Sequence, residues 1–345
     1  MVTNRQHNLF ILSFKEGRLL KKLFVNLFKI IVALAIFFIL LEFVSKLLTK
    51  DNDAFKRRDT LNSLPKNSVD IMFIGNSHSY TTFNPVEISN ITGKTAYNSA
   101  MPSQLLDLVW FNFEIELKKQ SPKVVVLETF AFQGPSQRDV FNDSNIDSMP
   151  FGITKLSAIF SIYKSSKDRF ELMSGIYRQH GNWSDSELVN ENFNNIVYGK
   201  KPSYIESKGF YDIDSKMTSD TVEKLKNLKP SEYVFKARVS DYNKYYFNKI
   251  YRECKKRGIN LICVMAPMNK NYVEKTDYES VHRGFKALFD SVGVDFIDYN
   301  MLYDEVGIKD EDFANESNSS HHVNKYGSKK ISEHFSNYLA SVIKD

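Results

Sequence analysis

Residues Lys123 to Thr129 read Lys-Val-Val-Val-Leu-Glu-Thr, four apolar residues in succession, three of them β-branched. A strand with one wet face alternates; an unbroken run belongs to a strand covered on both faces, as in the middle of a parallel sheet. Val69 to Ile74, ending at Gly75, and Asn260 to Ala266, closed by Pro267, have the same character. Thr95–Asn98 and Val294–Tyr299 are shorter candidates. Helical spacing fills the gaps. Ser103–Lys119 carries Leu105, Leu106, Val109, Phe113 and Ile115, and Asp241–Arg257 stops at Gly258. Glu279–Val292 follows, and Asn324–Ile343 sets Ile331, Phe335, Leu339 and Val342 on one face. Strands alternating with helices predict an α/β fold: a mostly parallel sheet with helices on both faces. Sites in such folds lie at the carboxyl ends of the strands.

Residues 133–235 break this rhythm and are rich in Ser, Asn, Asp, Tyr and Phe. They read as an insertion into the α/β core, with helical pieces around 153–178 and 219–227. Packing is the commoner role for its aromatics Phe170, Tyr177, Trp183, Tyr198, Tyr204 and Tyr211; stacking on sugars is the other.

Near the N-terminus, Ile30 to Leu41 is uninterrupted and apolar. Joined to Leu23–Phe28 and Phe43–Leu48, it reaches the roughly 20 apolar residues that cross a bilayer. Lys29 and Lys46 can snorkel to headgroups. No small-residue cleavage site follows Leu41, which favours an uncleaved anchor over a signal peptide. The segment is apolar all round, which argues against a buried amphipathic helix. The expected organisation is a tail at 1–22, a transmembrane anchor at 23–48, a polar linker at 49–68 and one α/β domain at 69–345. Basic residues flank both ends of the apolar segment, so their count gives no clear orientation. A short N-terminal tail need not be translocated, which puts residues 49–345 outside the cytoplasm.

The 345 residues carry a formal net charge of +5, with no dense basic stripe beyond the N-terminal region, so no nucleic acid is expected as a partner. Cys254 and Cys263 fit no zinc spacing and read as packed thiols, although their sequence does not exclude a disulfide.

Ser77 follows the strand at 69–74 within Gly75-Asn76-Ser77-His78-Ser79. Gly75 permits a sharp turn, beyond which backbone N–H groups converge on a serine hydroxyl. A hydroxyl nucleophile also needs a base. His322, in His322-Val323-Asn324-Lys325-Tyr326-Gly327 before the last helix, is the candidate. Taken singly, Ser77 reads as a helix cap and His322 as a surface residue.

Together these two blocks resemble the SGNH (GDSL-like) hydrolase superfamily. Its first block is a strand followed by Gly-Asp/Asn/Ser-Ser, and its last is Asp-x-x-His with a glycine five residues on, as at His322 and Gly327. The chain is most similar to membrane-anchored members from Gram-positive bacteria, which carry Gly-x-Ser-His-Ser, Tyr-Asn-x-x-x-Pro-Ser-Gln (here Tyr97 to Gln104) and Lys-x-Val-Val-Leu-Glu (here Lys123 to Glu128). The resemblance covers most of 69–130 and 236–343. It implies that Ser77 is the nucleophile and His322 the base. It also departs from the pattern, because the acid position holds Ser319. Ser319 could orient the ring, or Asp312 or Glu316 could reach in from the same loop; were His321 the base, Asn318 would fill the acid position. The oxyanion glycine corresponds to Ala100 or Ser99. Asn98 or Gln104 could supply an amide, Asn76 lies in the turn, and His78 could line the site. The third-block Gly-x-Asn is not recognisable.

No metal and no cofactor is implied; His321 and His322, as neighbours, suit one ion poorly. The expected activity is that of an extracytoplasmic serine esterase or O-acyltransferase. It would act on acyl groups, acetyl by default, of a cell-envelope polysaccharide or a small ester. The alternative is a decayed, glycan-binding protein in a polysaccharide-assembly machinery.

Overall fold

A computed structural model describes residues 3–227, 229, 235–316 and 321–343. The chain divides into two compact units, Met1–Lys50 with Ser174–Lys200, and Asp51–Met173 with Lys201–Asp345.

The second unit holds a five-stranded, wholly parallel sheet: β1 Ile71–Ile74, β2 Ala96–Asn98, β3 Val124–Glu128, β4 Asn260–Met265 and β5 Asp295–Asp298, in the order β2-β1-β3-β4-β5. Register pairs Phe73 with both Asn98 and Val126. The helices, in chain order, are α1 Thr3–Leu48, α2 Asp53–Ser63, α3 Ser77–Thr82, α4 Pro85–Thr92, α5 Leu106–Glu116, α6 Val140–Ser148, α7 Ile153–Ile162, α8 Ser166–Met173, α9 Gly175–Gln179, α10 Ser186–Tyr198, α11 Ser219–Asn227, α12 Asp241–Arg257, α13 Lys270–Val273, α14 Tyr278–Asp290, α15 Tyr303–Val306 and α16 Lys325–Val342.

Successive strand side chains point to opposite faces, and both faces are buried. Met72, Ile74, Val125, Leu127, Leu261 and Cys263 belong to one core, which is completed by α5, α12 and α14. Ile71, Phe73, Val124, Val126, Ile262 and Val264 belong to the other, beneath α4 and α16. This double coverage explains why the strands read as unbroken apolar runs. Phe335 of α16 sits edge-on to Phe73 and Phe83, with centroids 5.9 and 5.3 Å away. Burying one such side chain contributes about 1.5–3 kcal/mol. Cys254 and Cys263 are both buried free thiols.

From β1 the chain crosses to β2 over one face and then to β3 over the other, with α4 and α5 on opposite sides. The crevice opened by such a reversal lies at the carboxyl end of β1.

Two regions differ from expectation. The polar stretch read as a linker contains α2, which buries Ala54, Arg57, Arg58, Thr60 and Leu61 in the second unit. Arg57 donates to Gly209 O at 2.7 Å and to Asp53 Oδ2 at 2.8 Å, and its guanidinium lies 3.7 Å from the Tyr80 ring centre. The insertion leaves and rejoins the core at one place, where Arg238 N donates to Phe132 O at 2.8 Å. Its helices are shared out: α6, α7, α8 and α11 belong to the second unit, α9 and α10 to the first.

In the first unit, Leu20–Leu48 of α1 is long and apolar enough to cross a membrane, the one such helix among the described residues.

Candidate active site

Ser77 owes its position to the turn after β1. Gly75 has φ +145°, and a Cβ there would lie 2.9 Å from Glu128 Cβ and 3.3 Å from Glu128 O. The position excludes a side chain on both conformational and steric grounds. Asn76 then caps α3, its Oδ1 accepting from His78 N at 3.1 Å. Ser77 is the first helical residue, and its N–H has no intrahelical acceptor. From Ile71 to Phe83 it is the one residue that is not buried.

His322 is placed by a short antiparallel bridge between Phe313 and Val323. Ala314 N donates to His322 O, and Asn324 N to Asp312 O, both at 2.9 Å. Asn324 caps α16, while its Nδ2 donates to Glu311 O at 2.8 Å and Phe313 O at 3.1 Å. A Cβ on Gly327 would come within 2.5 Å of Asp312 O. The motif glycine therefore lets the last helix start hard against the segment that carries the histidine.

Ser77 and His322 meet: Ser77 Oγ is 2.8 Å from His322 Nε2. On the other side of the ring, Nδ1 is 2.6 Å from Glu316 Oε1. An ionised carboxylate only accepts, so Nδ1 carries the proton and Nε2 is left to accept from the serine hydroxyl; this tautomer is assigned from the partners. Burial raises the Glu316 carboxyl, but the His322 hydrogen bond and the two neighbouring imidazoles outweigh it and hold the group below its ordinary value. Glu316 thus supplies the carboxylate contact, six residues before the histidine. Ser319, along with Asn318, lies outside the described residues. Asp312, the other acid considered, accepts from Lys330 Nζ at 2.6 Å and from Lys309 N at 2.8 Å.

The remaining candidates divide. Asn98 uses its amide to fasten α3, donating to Ser79 O at 3.0 Å and Phe83 O at 3.3 Å and accepting from Ser79 Oγ and Ala100 N, both at 3.3 Å. Both its amide hydrogens are spent, so it cannot serve an oxyanion. Ser99 N donates to Phe73 O at 2.9 Å and Met101 N to Gly75 O at 3.3 Å, which pins the turn containing Ala100 beside Gly75. Gln104 is buried, with Nε2 unpartnered among the described residues. His78 is buried against Phe130, ring centroids 3.8 Å apart, with His321 at 5.0 Å and His322 at 4.9 Å. Burial, reinforced by those two imidazoles, pushes His78 well below the usual histidine value. Burial likewise takes His321 down to about 4.

His78, His321 and His322 each bring one ring nitrogen within 4.8 Å of the others, close enough to hold a metal ion. Such an ion would take a His322 nitrogen from Ser77 or from Glu316. Metal binding and the Ser77–His322–Glu316 chain therefore exclude one another.

Glu128 was not among the candidates. It ends β3 beneath Gly75, is fully buried, and accepts from Phe130 N at 2.9 Å. Burial pushes its carboxyl up to about 8. The signal for it was an acid closing an otherwise apolar strand.

No protein-family model matches the chain, and no curated protein matches it. A solved structure from Bacteroides fragilis, provisionally named an acylhydrolase, aligns with a TM-score of 0.38 and 12% identity over 84% of this chain and 100% of that one. At that score the likeness carries no argument for function.

Proposed function

We propose that the protein is a membrane-anchored serine acyl hydrolase or acyltransferase whose catalytic group is Ser77–His322–Glu316. The observation that carries this reading is the continuous chain Ser77 Oγ, His322 Nε2, His322 Nδ1, Glu316 Oε1, with contacts of 2.8 and 2.6 Å. It has the order and polarity that nucleophilic acyl transfer requires.

Ser77 Oγ attacks the ester carbonyl carbon as His322 Nε2 takes the hydroxyl proton. Glu316 stabilises the imidazolium that forms. The carbonyl electrons move to oxygen, where the Ser77 N–H, which has no acceptor within α3, is a backbone donor at hand. As the tetrahedral species collapses, the ester C–O bond breaks and the leaving alcohol takes the proton from His322. Water or a second hydroxyl then enters by the reverse route and releases Ser77. Hydrolysis and transfer differ only in that acceptor.

The resemblance of the Gly75–Ser79 and His322–Gly327 blocks to SGNH hydrolases supports this chemistry. It also favours an acyl group, acetyl by default, on a cell-envelope polysaccharide, with residues 49–345 outside the cytoplasm. Leu20–Leu48 supports the anchor. The rival reading, a decayed glycan-binding or assembly relative, drew on the absent acid at residue 319 and on the unrecognisable third block. The carboxylate contact from Glu316 answers the first of these and favours the enzyme reading.

The test is ester hydrolysis by the purified full-length protein in detergent, with p-nitrophenyl acetate as substrate. Wild type should turn over and Ser77→Ala should fall to the uncatalysed rate. Equal rates in the two, or none in either, would overturn the proposal.

A further inference from the structure

We infer that residues 174–200 of the insertion lie in the lipid interface beside the anchor, with Trp183 and one face of α10 immersed among lipid chains. This rests on reading Leu20–Leu48 as a membrane anchor.

The first observation is how the segment is fastened. The last carbonyls of a helix have no intrahelical donor, and leaving them bare near lipid is costly. Here the insertion satisfies them. Asn192 Nδ2 donates to Leu47 O and Thr49 O, both at 2.9 Å, and Asn182 Nδ2 donates to Leu48 O at 2.8 Å. These bonds tie α10, and the turn before it, to the level where the spanning helix leaves the apolar layer.

The second is the pattern on α10. Val189, Phe193, Ile196 and Val197 recur at i, i+4, i+7 and i+8, the spacing of one helical stripe. Leu188, Asn192 and Asn195 form a partly buried line beside that stripe, Ser186 and Asn190 interrupt it towards its N-terminal end, and Glu191 and Asn194 lie opposite it. No residue of α10 is buried, and Phe193 and Val197 are 45% and 52% exposed. Among the described residues none covers Phe193, Ile196 and Val197, which are all exposed, while Val189 is partly buried.

The third is the aromatic content. Trp183 is 75% exposed and Tyr177 is also exposed, whereas Tyr198 projects from the face of Glu191 and Asn194. Trp and Tyr concentrate at membrane–water boundaries, where one end of the ring is wet and the other is not. Leu47, Trp183, Val189 and Phe193, together with Ser186, Glu187 and Asn190, line an open groove of about 610 Å³. Its walls mix apolar and polar side chains, which suits it to the boundary where acyl chains meet headgroups.

Charge does not drive the contact. Between Ser174 and Lys200 the basic residues are Arg178 and Lys200, against Asp185, Glu187 and Glu191. Immersion therefore draws on apolar area and does not require anionic lipid.

The chain has two tryptophans, Trp110 and Trp183, and Trp110 is buried. Full-length wild type and Trp183→Phe are reconstituted in phosphatidylcholine vesicles, so that the difference in their emission belongs to Trp183. The expected result is strong quenching of that emission by phosphatidylcholine brominated near the headgroup end of the acyl chain. Bromination near the chain terminus should quench less, and aqueous acrylamide should quench poorly. Full acrylamide quenching without lipid quenching, in protein that stays vesicle-bound through an alkaline carbonate wash, overturns the inference and leaves the anchor standing. Loss of the protein in that wash overturns the anchor and the inference together.

Discussion

Glu316 approaches His322 from six residues upstream, whereas the resembled pattern places its acid three residues upstream. What makes that possible is the bridge between Phe313 and Val323, which folds the loop so that the glutamate side chain returns to the ring. A Glu316→Gln change keeps the shape but offers an amide that can donate to Nδ1 and favour the wrong tautomer. By analogy with triads that lose their acid, it should lower kcat/KM for ester hydrolysis by about 10³- to 10⁴-fold. Asp312→Asn should leave kcat/KM of the folded protein nearly unchanged and lower its stability, since Asp312 serves Lys330 and the backbone at Lys309. The contrast between the two variants separates the two acids that the sequence left open. Ser77 and His322 were legible because each sits in a local motif. The acid was narrowed to several residues of one loop, Glu316 among them, but not chosen, because the choice depends on how the Phe313–Val323 bridge folds that loop; the partners of the Asn98 amide are likewise invisible until the helix it fastens is in place.

At the level of elements, Gly75 and Glu128 form the floor of the site, where the ends of β1 and β3 touch. Gly75→Ala would put a Cβ 2.9 Å from Glu128 Cβ at a φ of +145°. Its expected cost is about 1–3 kcal/mol in denaturant unfolding, together with reduced activity because Ser77 shifts. Glu128 gives a pH signature. Its folded carboxyl is raised by burial to about 8 from an ordinary 4.5. Between those values the folded state holds a proton that the unfolded chain has released, so Glu128 makes stability fall as pH rises. Glu128→Gln removes that slope. The stability of the variant relative to wild type should rise across this window, by at most ~1.4 kcal/mol per pH unit, in denaturation midpoints measured at its two ends. The strands and the long helices were readable because two-sided burial and helical spacing leave marks in sequence. The six-residue α3 is too short to show a period, and α2 was hidden by its polarity. Its buried Arg57 is tolerated because Gly209, 152 positions away, accepts its hydrogen bond.

At the scale of the whole molecule, the chain carries both an apolar helix long enough to span a membrane and, at the end of a parallel strand, a serine in contact with a histidine and its carboxylate. The parallel sheet with helices on both faces and the apolar N-terminal helix were both expected from sequence. The division of the insertion between two units was not, because α10 packs on a helix more than a hundred residues earlier. A fluorophosphonate probe on membranes containing the full-length protein decides whether Ser77 is a nucleophile activated by His322 and Glu316. The expected result is a labelled species of 40.0 kDa, with the adduct on the peptide bearing Ser77. Labelling should be absent in Ser77→Ala and much slower in Glu316→Gln. A wild type that never labels, or labelling that survives in Ser77→Ala, would contradict it.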